Sequence, residues 1–502
     1  MFSTLLLLAT TTAPVQAGEF MDTWVTLAFE DNNLFAGPAN ESTAPNFVIR
    51  GNRTFFEDYE SAYSDDITQS RLVLYRRDEG FWKDWYTEAA FALRFSPYVE
   101  EDQSSDGVSL KDDGSYVRLA KKIRGDEAHT ISLTGYAIDA SRFRLGYSYD
   151  LSWGGKEIFL TDPKASPGAR IEWQKGGSYL YAGAKTSIQK QVPTGDDSVD
   201  LGRRNEAFYG VLAGGGLQIA EKFKVEAGVG SFQQGQLTST NEASEALFGE
   251  PVSAMGLGTQ VAWRSTTDLS FIQSADLKLL RNGPDFVKDS YITHDQIDGF
   301  GMLVQAEWNV LTHNLLNADK EGSTVLENAM AGDLQSKFVF GSTSMGVDLV
   351  YKDLSYIVFN IPGISSGMST PEWMETRPQL YGRLFGSHYF EKARLAPYAG
   401  VGLMQPASYV NAQGGTVVQV TEHDVMVVPD GQDAANILGA IAGAQVDVSK
   451  SVVLVGELLF EANHNQSNSS EEDPETGATT YVPVDPVEAN ALGFNLMVRA
   501  RF

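Results

Sequence analysis

Residues 490–502 read NALGFNLMVRARF. Leu492, Phe494, Leu496, Val498, Ala500 and Phe502 occupy the even positions and are all apolar, whereas Asn495, Arg499 and Arg501 stand at odd ones. Successive side chains of a β-strand point to opposite faces, so this stretch is a strand with one greasy and one wet side. Such a strand needs an apolar medium on one side and a polar one on the other.

The same alternation recurs upstream. Trp85–Val99 sets Ala89, Phe91, Leu93 and Phe95 against Glu88, Arg94 and Ser96, and Ser141–Leu151 sets Phe143, Leu145, Tyr147 and Tyr149 against Arg142, Arg144 and Asp150. Further runs begin near Arg71, Tyr116, His129, Ala169, Tyr179, Glu206, Phe223, Ser253, Leu269, Gly299, Met345, Gln379, Arg394, Asn436 and Val452, which with the last run makes eighteen strands. Sixteen is the alternative, because two long connectors, Leu311–Lys337 and Glu100–Gly114, fall where the parity of the others demands short ones. Counting back from Phe502, the joints near Lys450, Glu391, Thr266, Glu221, Gly177 and Ala140 are short. Those at 406–435, 463–488, 281–297, 234–250, 191–204 and 152–167 are long. Bacterial transmembrane barrels show this asymmetry, with short periplasmic turns and long outer loops.

A terminal amphipathic strand ending on Phe502 resembles the closing strand of Gram-negative outer-membrane β-barrels. That resemblance implies that the barrel-assembly machinery reads Phe502 as an assembly signal and that the partners are outer-membrane lipid and lipopolysaccharide. The expected fold is an all-β transmembrane antiparallel barrel over residues 67–502, with residues 18–66 as a periplasmic segment, a plug or extra strands. Trp173, Trp263, Trp308 and Phe502 at the ends of apolar faces suit the two membrane interfaces. No repeat of blade length marks a propeller.

Met1–Ala17, MFSTLLLLATTTAPVQA, has a short apolar run and small residues before Gly18, the pattern of a secretory signal peptide, though no Lys or Arg precedes the run. No stretch offers the roughly twenty consecutive apolar residues of a membrane helix. With no Cys in 502 residues there are no disulfides and no thiolate chemistry, and the six His show no metal-ligand spacing. A mean hydropathy of -0.20 with 48 Gly and 11% aromatics fits a barrel better than a helical bundle. A net charge of -27 excludes a nucleic-acid partner.

Treating the polar face of each strand as the lumen assigns it 14 cations and 11 carboxylates, or 14 − 11 = +3, so loops and tails hold -30 of the net -27. The expected pore-lining cations are Arg94, Arg118, Arg142, Arg144, Arg170, Lys185, Arg264 and Arg383. Glu457, Glu461, Arg499 and Arg501 lie on strands that should be neighbours and are expected to form an ion-pair ladder in the wall. The acidic runs Glu100–Asp106 and Glu471–Glu475 read as solvated loops.

No catalytic motif, metal site or cofactor fingerprint is present. AFEDNNLFAG (Ala28–Gly37) resembles the N-terminal strand of outer-membrane lipid A deacylases, with Asp31 and Asn32 in reversed order and no following Tyr-Thr-Asn-Gly; it leaves lipid hydrolysis as a minor alternative. NHNQSNSS (Asn463–Ser470) lacks the spacing of the outer-membrane phospholipases. The architecture is also similar to alginate-type polysaccharide exporters. The leading expectation is a non-enzymatic, porin-like channel for hydrophilic, anionic solutes or polymer. The runner-up is a structural barrel in an envelope machine for motility, secretion or export, with envelope protein partners.

Overall fold

The computed structural model describes residues 19–20, 23–31, 33–35, 70–98, 107–140, 143–146, 151, 167–190, 205–237, 247, 250–271, 296–359, 368–420, 425–469, 480–484 and 486–501. The expected signal segment, Arg142, Phe502 and both acidic runs lie outside them.

Eighteen antiparallel strands close into one barrel. They are β1 (Trp24–Asp31), β2 (Ser70–Glu79), β3 (Trp85–Tyr98), β4 (Tyr116–Ile123), β5 (Asp126–Tyr136), β6 (Gly168–Lys175), β7 (Ser178–Lys190), β8 (Asn205–Ala220) and β9 (Phe223–Gln236). The second half comprises β10 (Pro251–Arg264), β11 (Phe300–Leu316), β12 (Thr324–Phe340), β13 (Thr343–Lys352), β14 (Gln379–His388), β15 (Leu395–Gln405), β16 (Ile437–Asp447), β17 (Val452–Ala462) and β18 (Asn490–Arg501). Each pairs with the next, and β18 returns to β1 in the register Leu27↔Val498, which closes the ring. The closing strand therefore sits as its alternation requires: Leu496 is 54% exposed outward, whereas Asn495, Met497 and Arg499 are buried inward.

Outward faces are apolar all round, with Leu27, Phe91, Val117, Leu133, Val211, Leu257, Met330, Leu349, Leu384, Val401 and Leu458 exposed. An apolar outer band on a closed barrel is the signature of a strand protein immersed in a bilayer, and the chain is an outer-membrane β-barrel.

The strand number stands, with two exchanges of membership. Ser141–Leu151 and the run at Leu269 are not barrel strands. Phe143, Leu145 and Leu151 are instead packed inside the barrel, where apolar side chains also meet a wall. β1 and β12 take their places, so the barrel begins at Trp24 rather than at residue 67. The joint near Ala140 consequently lies in a long outer connector, and Leu311–Lys337 is not an insertion but the ends of two strands meeting at an outer turn. β12 hides because its outward face carries Asn328, Gly332 and Ser336 and its inward face Ala329 and Ala331, which flattens the alternation.

On the periplasmic side the turns are short except for 265–299, whose described ends fold into the mouth: Leu269 and Ile297 pack on inward Leu303 and Val339. Of the stretch expected outside, 281–297, only residues 296 and 297 are described, and Ile297 stands at the periplasmic end of β11. On the outer side, strands Thr376–Arg377, Ala407–Val410, Thr416–Gln419 and Val425–Val427 form a small separate sheet above the barrel. Its Val418, with Val420 and Val428 from the flanking chain, joins the core cluster inside the barrel.

Candidate functional site: the bore and its inserted segments

The inner wall is polar along β2–β9, and its described ion pairs each match a cation to a carboxylate. Arg118 Nη1 lies 2.8 Å from Glu88 Oε2, with Tyr75 Oη donating to the other oxygen of Glu88 at 3.2 Å. Asp113 sits between Arg71 (2.5 Å) and Arg94 (2.9 Å), because the strand Gly107–Asp112 breaks before β4 and turns Asp113 inward. Arg170 meets Glu172 at 3.1 Å, and Lys224 meets Glu226 at 2.7 Å. On the far wall Arg383 pairs with Asp348. Where β1 joins its neighbours, the Trp24 ring is sandwiched between guanidinium groups, Arg71 at 4.3 Å and Arg499 at 4.8 Å.

These charges are not exposed to a wide channel. Arg118 is 1%, Arg170 0% and Glu88 3% exposed. An ion pair is buried this way only when something fills the space in front of it.

Two outer connectors do much of the filling. Between β5 and β6, Phe143 packs edge-on against Tyr181 at 5.9 Å and under Arg170, while Leu145 lies beside Gly258 and against Gly256, where an added Cβ would collide with it. The carbonyl of Leu151 reaches the opposite wall, where it accepts from Asn309 Nδ2 at 2.9 Å and from the Tyr356 hydroxyl. Tyr356 belongs to α1 (Leu354–Val358) in the connector after β13, and is itself buried. Asp353 caps that helix, accepting from Tyr356 N at 2.7 Å, and also from Met330 N on β12 at 2.7 Å. Burial raises its carboxyl to about 6, helped by nearby Glu327, against the two N–H groups that favour the charged form. The remaining inner wall, β14–β18 with β1, is mostly apolar: Met404, Ile437, Ile441, Val455, Leu459, Met497 and Ala28 belong to one core cluster with Phe143, Leu145, Leu151 and Tyr356.

The eight expected lining cations therefore divide. Arg94, Arg118, Arg170 and Arg383 face inward and are ion-paired, and Lys185 is buried on the inner wall. Arg264 stands at the periplasmic rim and donates to the carbonyls of Glu221 (2.7 and 2.9 Å) and Leu269 (2.5 Å), fastening the periplasmic connector. Arg144 lies on the inserted segment near Tyr356 rather than on a strand. The expected ladder is not aligned: Glu457 is opposite Asn495, Glu461 opposite Ala491, and Arg499 opposite Val453. Glu457 instead accepts from Asn495 Nδ2 at 3.1 Å and from the Tyr398 hydroxyl, and Arg499 donates to Thr26 Oγ1 at 2.9 Å. Arg501 pairs across the seam with Trp24. Missed residues include Arg71, Asp113, Asn309 and Tyr356; in the sequence Asn309 stands two positions from Glu307 and so shares its strand face. Among the described residues, no group of His, Asp and Glu could hold a metal ion.

The chain matches no protein-family model, and no curated relative matches it. Among solved structures it is similar to an anion-selective porin from Comamonas acidovorans (12% identical, TM-score 0.40), covering 96% of this chain and 99% of that one. It is also similar to OccK11 (OpdR) of Pseudomonas aeruginosa (8%, TM-score 0.42, 96% and 95%). A third is Wzi of Escherichia coli, a carbohydrate-binding β-barrel involved in group 1 capsule assembly (10%, TM-score 0.39, 96% and 85%). At such TM-scores these likenesses carry no argument about what the protein does, and the barrel rests on its own strand pairing.

Proposed function

We propose that the protein is a porin-like channel for hydrophilic solutes, closed at rest by its own outer connectors. The observation that carries this is the join at Leu151. One carbonyl from the inserted segment takes hydrogen bonds from the wall (Asn309) and from α1 (Tyr356), so it ties together the two connectors that stand in the bore. An eighteen-strand barrel leaves an aqueous channel once its fillings are removed. Preference for anions is part of the reading, but because the paired guanidinium groups each face a carboxylate, the expected selectivity is slight. The runner-up is a permanently filled barrel serving as a structural part of an envelope machine, favoured by the burial of Arg118, Arg170 and Glu88.

The test is single-channel recording in a planar bilayer. The intact chain should pass little current, and replacing residues 138–166 with a short Gly-rich turn should open steps typical of large porins, with a small anion-side reversal potential under a salt gradient. A shortened chain that still folds, as judged by heat-modifiable gel mobility, yet passes no current would leave the structural role standing and the channel reading refuted.

A further inference from the structure

The inward face of β5 is a column of hydroxyl side chains: Thr130, Ser132, Thr134 and Tyr136 are each at most 3% exposed. Alternate positions of a strand lie about 6.8 Å apart, so the column runs about 20 Å along β5. The β5–β6 connector covers it. Ala140 packs with Tyr116 and Tyr136, and Phe143 lies over Arg170, which faces Thr134 in register. Under that cover Ser132 Oγ and Thr134 Oγ1 find no hydrogen-bond partner, and neither does Nε of Arg118, on the other side of Thr134. Buried hydroxyls are costly to leave unpaired, and native walls hold few of them. The column therefore suits a polar occupant that the connector keeps out at rest.

The groups beside the column select that occupant. Arg118 is answered by Glu88 at 2.8 Å and Arg170 by Glu172 at 3.1 Å. At the periplasmic end Lys122 meets Glu79 (3.2 Å) and Glu127 (2.9 Å), and Arg77 meets Glu127 (3.2 Å). Lys185, level with Tyr136, and Arg71 and Arg94, which share Asp113, stand at or beyond the outer end. An ion moving along β5 meets compensated charge, whereas a neutral polyol meets hydroxyls that both donate and accept. An apolar solute would leave those hydroxyls unpaired, as the connector does. Flat aromatic faces accompany them: Tyr116 and Tyr136 are neighbours in register, and Tyr179 and Tyr181 stack at 6.2 Å two strands away. Sugar rings have the matching build, with hydroxyls round the edge and C–H groups on the faces.

We propose that the inner face of β5 is the solute track of the open bore and that its solute is a neutral saccharide. The assignment rests on the channel function proposed above and names what that channel carries.

The experiment compares entry of glucose and gluconate, similar in size and different in charge, at zero membrane potential. Proteoliposomes hold either the full chain or the chain shortened at 138–166. Glucose is expected to enter about fivefold faster than gluconate, the factor that one net hydrogen bond is worth. Ser132→Ala/Thr134→Val keeps the shape of the wall and removes only groups that lack partners, so assembly, read by heat-modifiable mobility, should be unchanged. Its glucose entry should fall roughly fivefold and bring the two rates together. Equal rates or faster gluconate in the unaltered chain, or a fall shared equally by both solutes in the double variant, would overturn the saccharide track and leave the channel standing. Entry of neither solute in either form would refute the channel, and the track with it.

Discussion

Replacing Glu88 with Leu removes the carboxylate 2.8 Å from Arg118 and leaves a guanidinium that is 1% exposed without its hydrogen-bonded carboxylate, with Glu172 acting on it only through space. If the bore is filled as the inserted segments indicate, that orphaned charge costs about 3–5 kcal/mol, and Arg118→Met costs a similar amount by stranding Glu88. The double variant Glu88→Leu/Arg118→Met should cost far less than the sum of the two, because replacing both members of a buried pair with apolar groups of similar size is close to neutral. In an open, watery lumen the same pair would be worth only about 0.2–1 kcal/mol, and the single variants would be mild. Urea titration in detergent micelles, with the folded fraction read by gel mobility, yields the double-mutant cycle directly. Single variants that each lose less than about 1 kcal/mol would refute the filled bore and restore a hydrated wall.

Two further outcomes are expected. Gly332 on the lipid face lies under Trp308, whose ring atoms Cε3 and Cζ3 an added Cβ would overlap and which stacks on Tyr351 at 6.1 Å; Gly332→Val should cost about 1–3 kcal/mol in the same titration, and an unchanged midpoint would show that the indole is not seated there. The Asp353 carboxyl is raised by burial from 3.8 to about 6, so the fastening of α1 is fully present below its ordinary value and is lost as pH rises through about 6. Protease cutting within 353–378 should therefore increase between about pH 5 and 7 and lose that dependence in Asp353→Asn; a flat profile in the unaltered chain would contradict the burial of this cap.

Much of the wall is legible in the sequence because the bilayer enforces it. Leu492, Phe494 and Leu496 alternate strictly since every outward position of β18 meets lipid, and β3, β9 and β17 obey the same rule. The failures share one physical origin. Ser141–Leu151 alternates as well as any strand, but its apolar side faces Tyr181 and Gly256 from within, so a period of two reports a two-sided environment and not which medium supplies it. β1 was illegible for the converse reason: inward Trp24 and Ala28 are apolar because guanidinium groups and the core cluster cover them, which erases the contrast with Val25 and Leu27. Connector parity also carries information, since the long joint Leu311–Lys337 on the wrong side marks the hidden strand β12.

Arg118, Arg170, Glu88 and Glu226 face inward and are buried, yet the number of such charges says little about passage. A cation count predicts selectivity only if each cation meets the solute. Here Asp113 is shared by Arg71 and Arg94, while Glu88, Glu172 and Asp348 each answer one guanidinium across or along the sheet, a matching fixed by register and by one strand break rather than by composition. On the proposed reading, the residues that hold the inserted segment to the wall are instead neutral: Asn309, Tyr356 and the backbone of Leu151, brought together from positions far apart in the chain. A hydrogen-bonded join of this kind leaves no charge pattern and no periodicity, so it is invisible to strand-by-strand reading of the sequence.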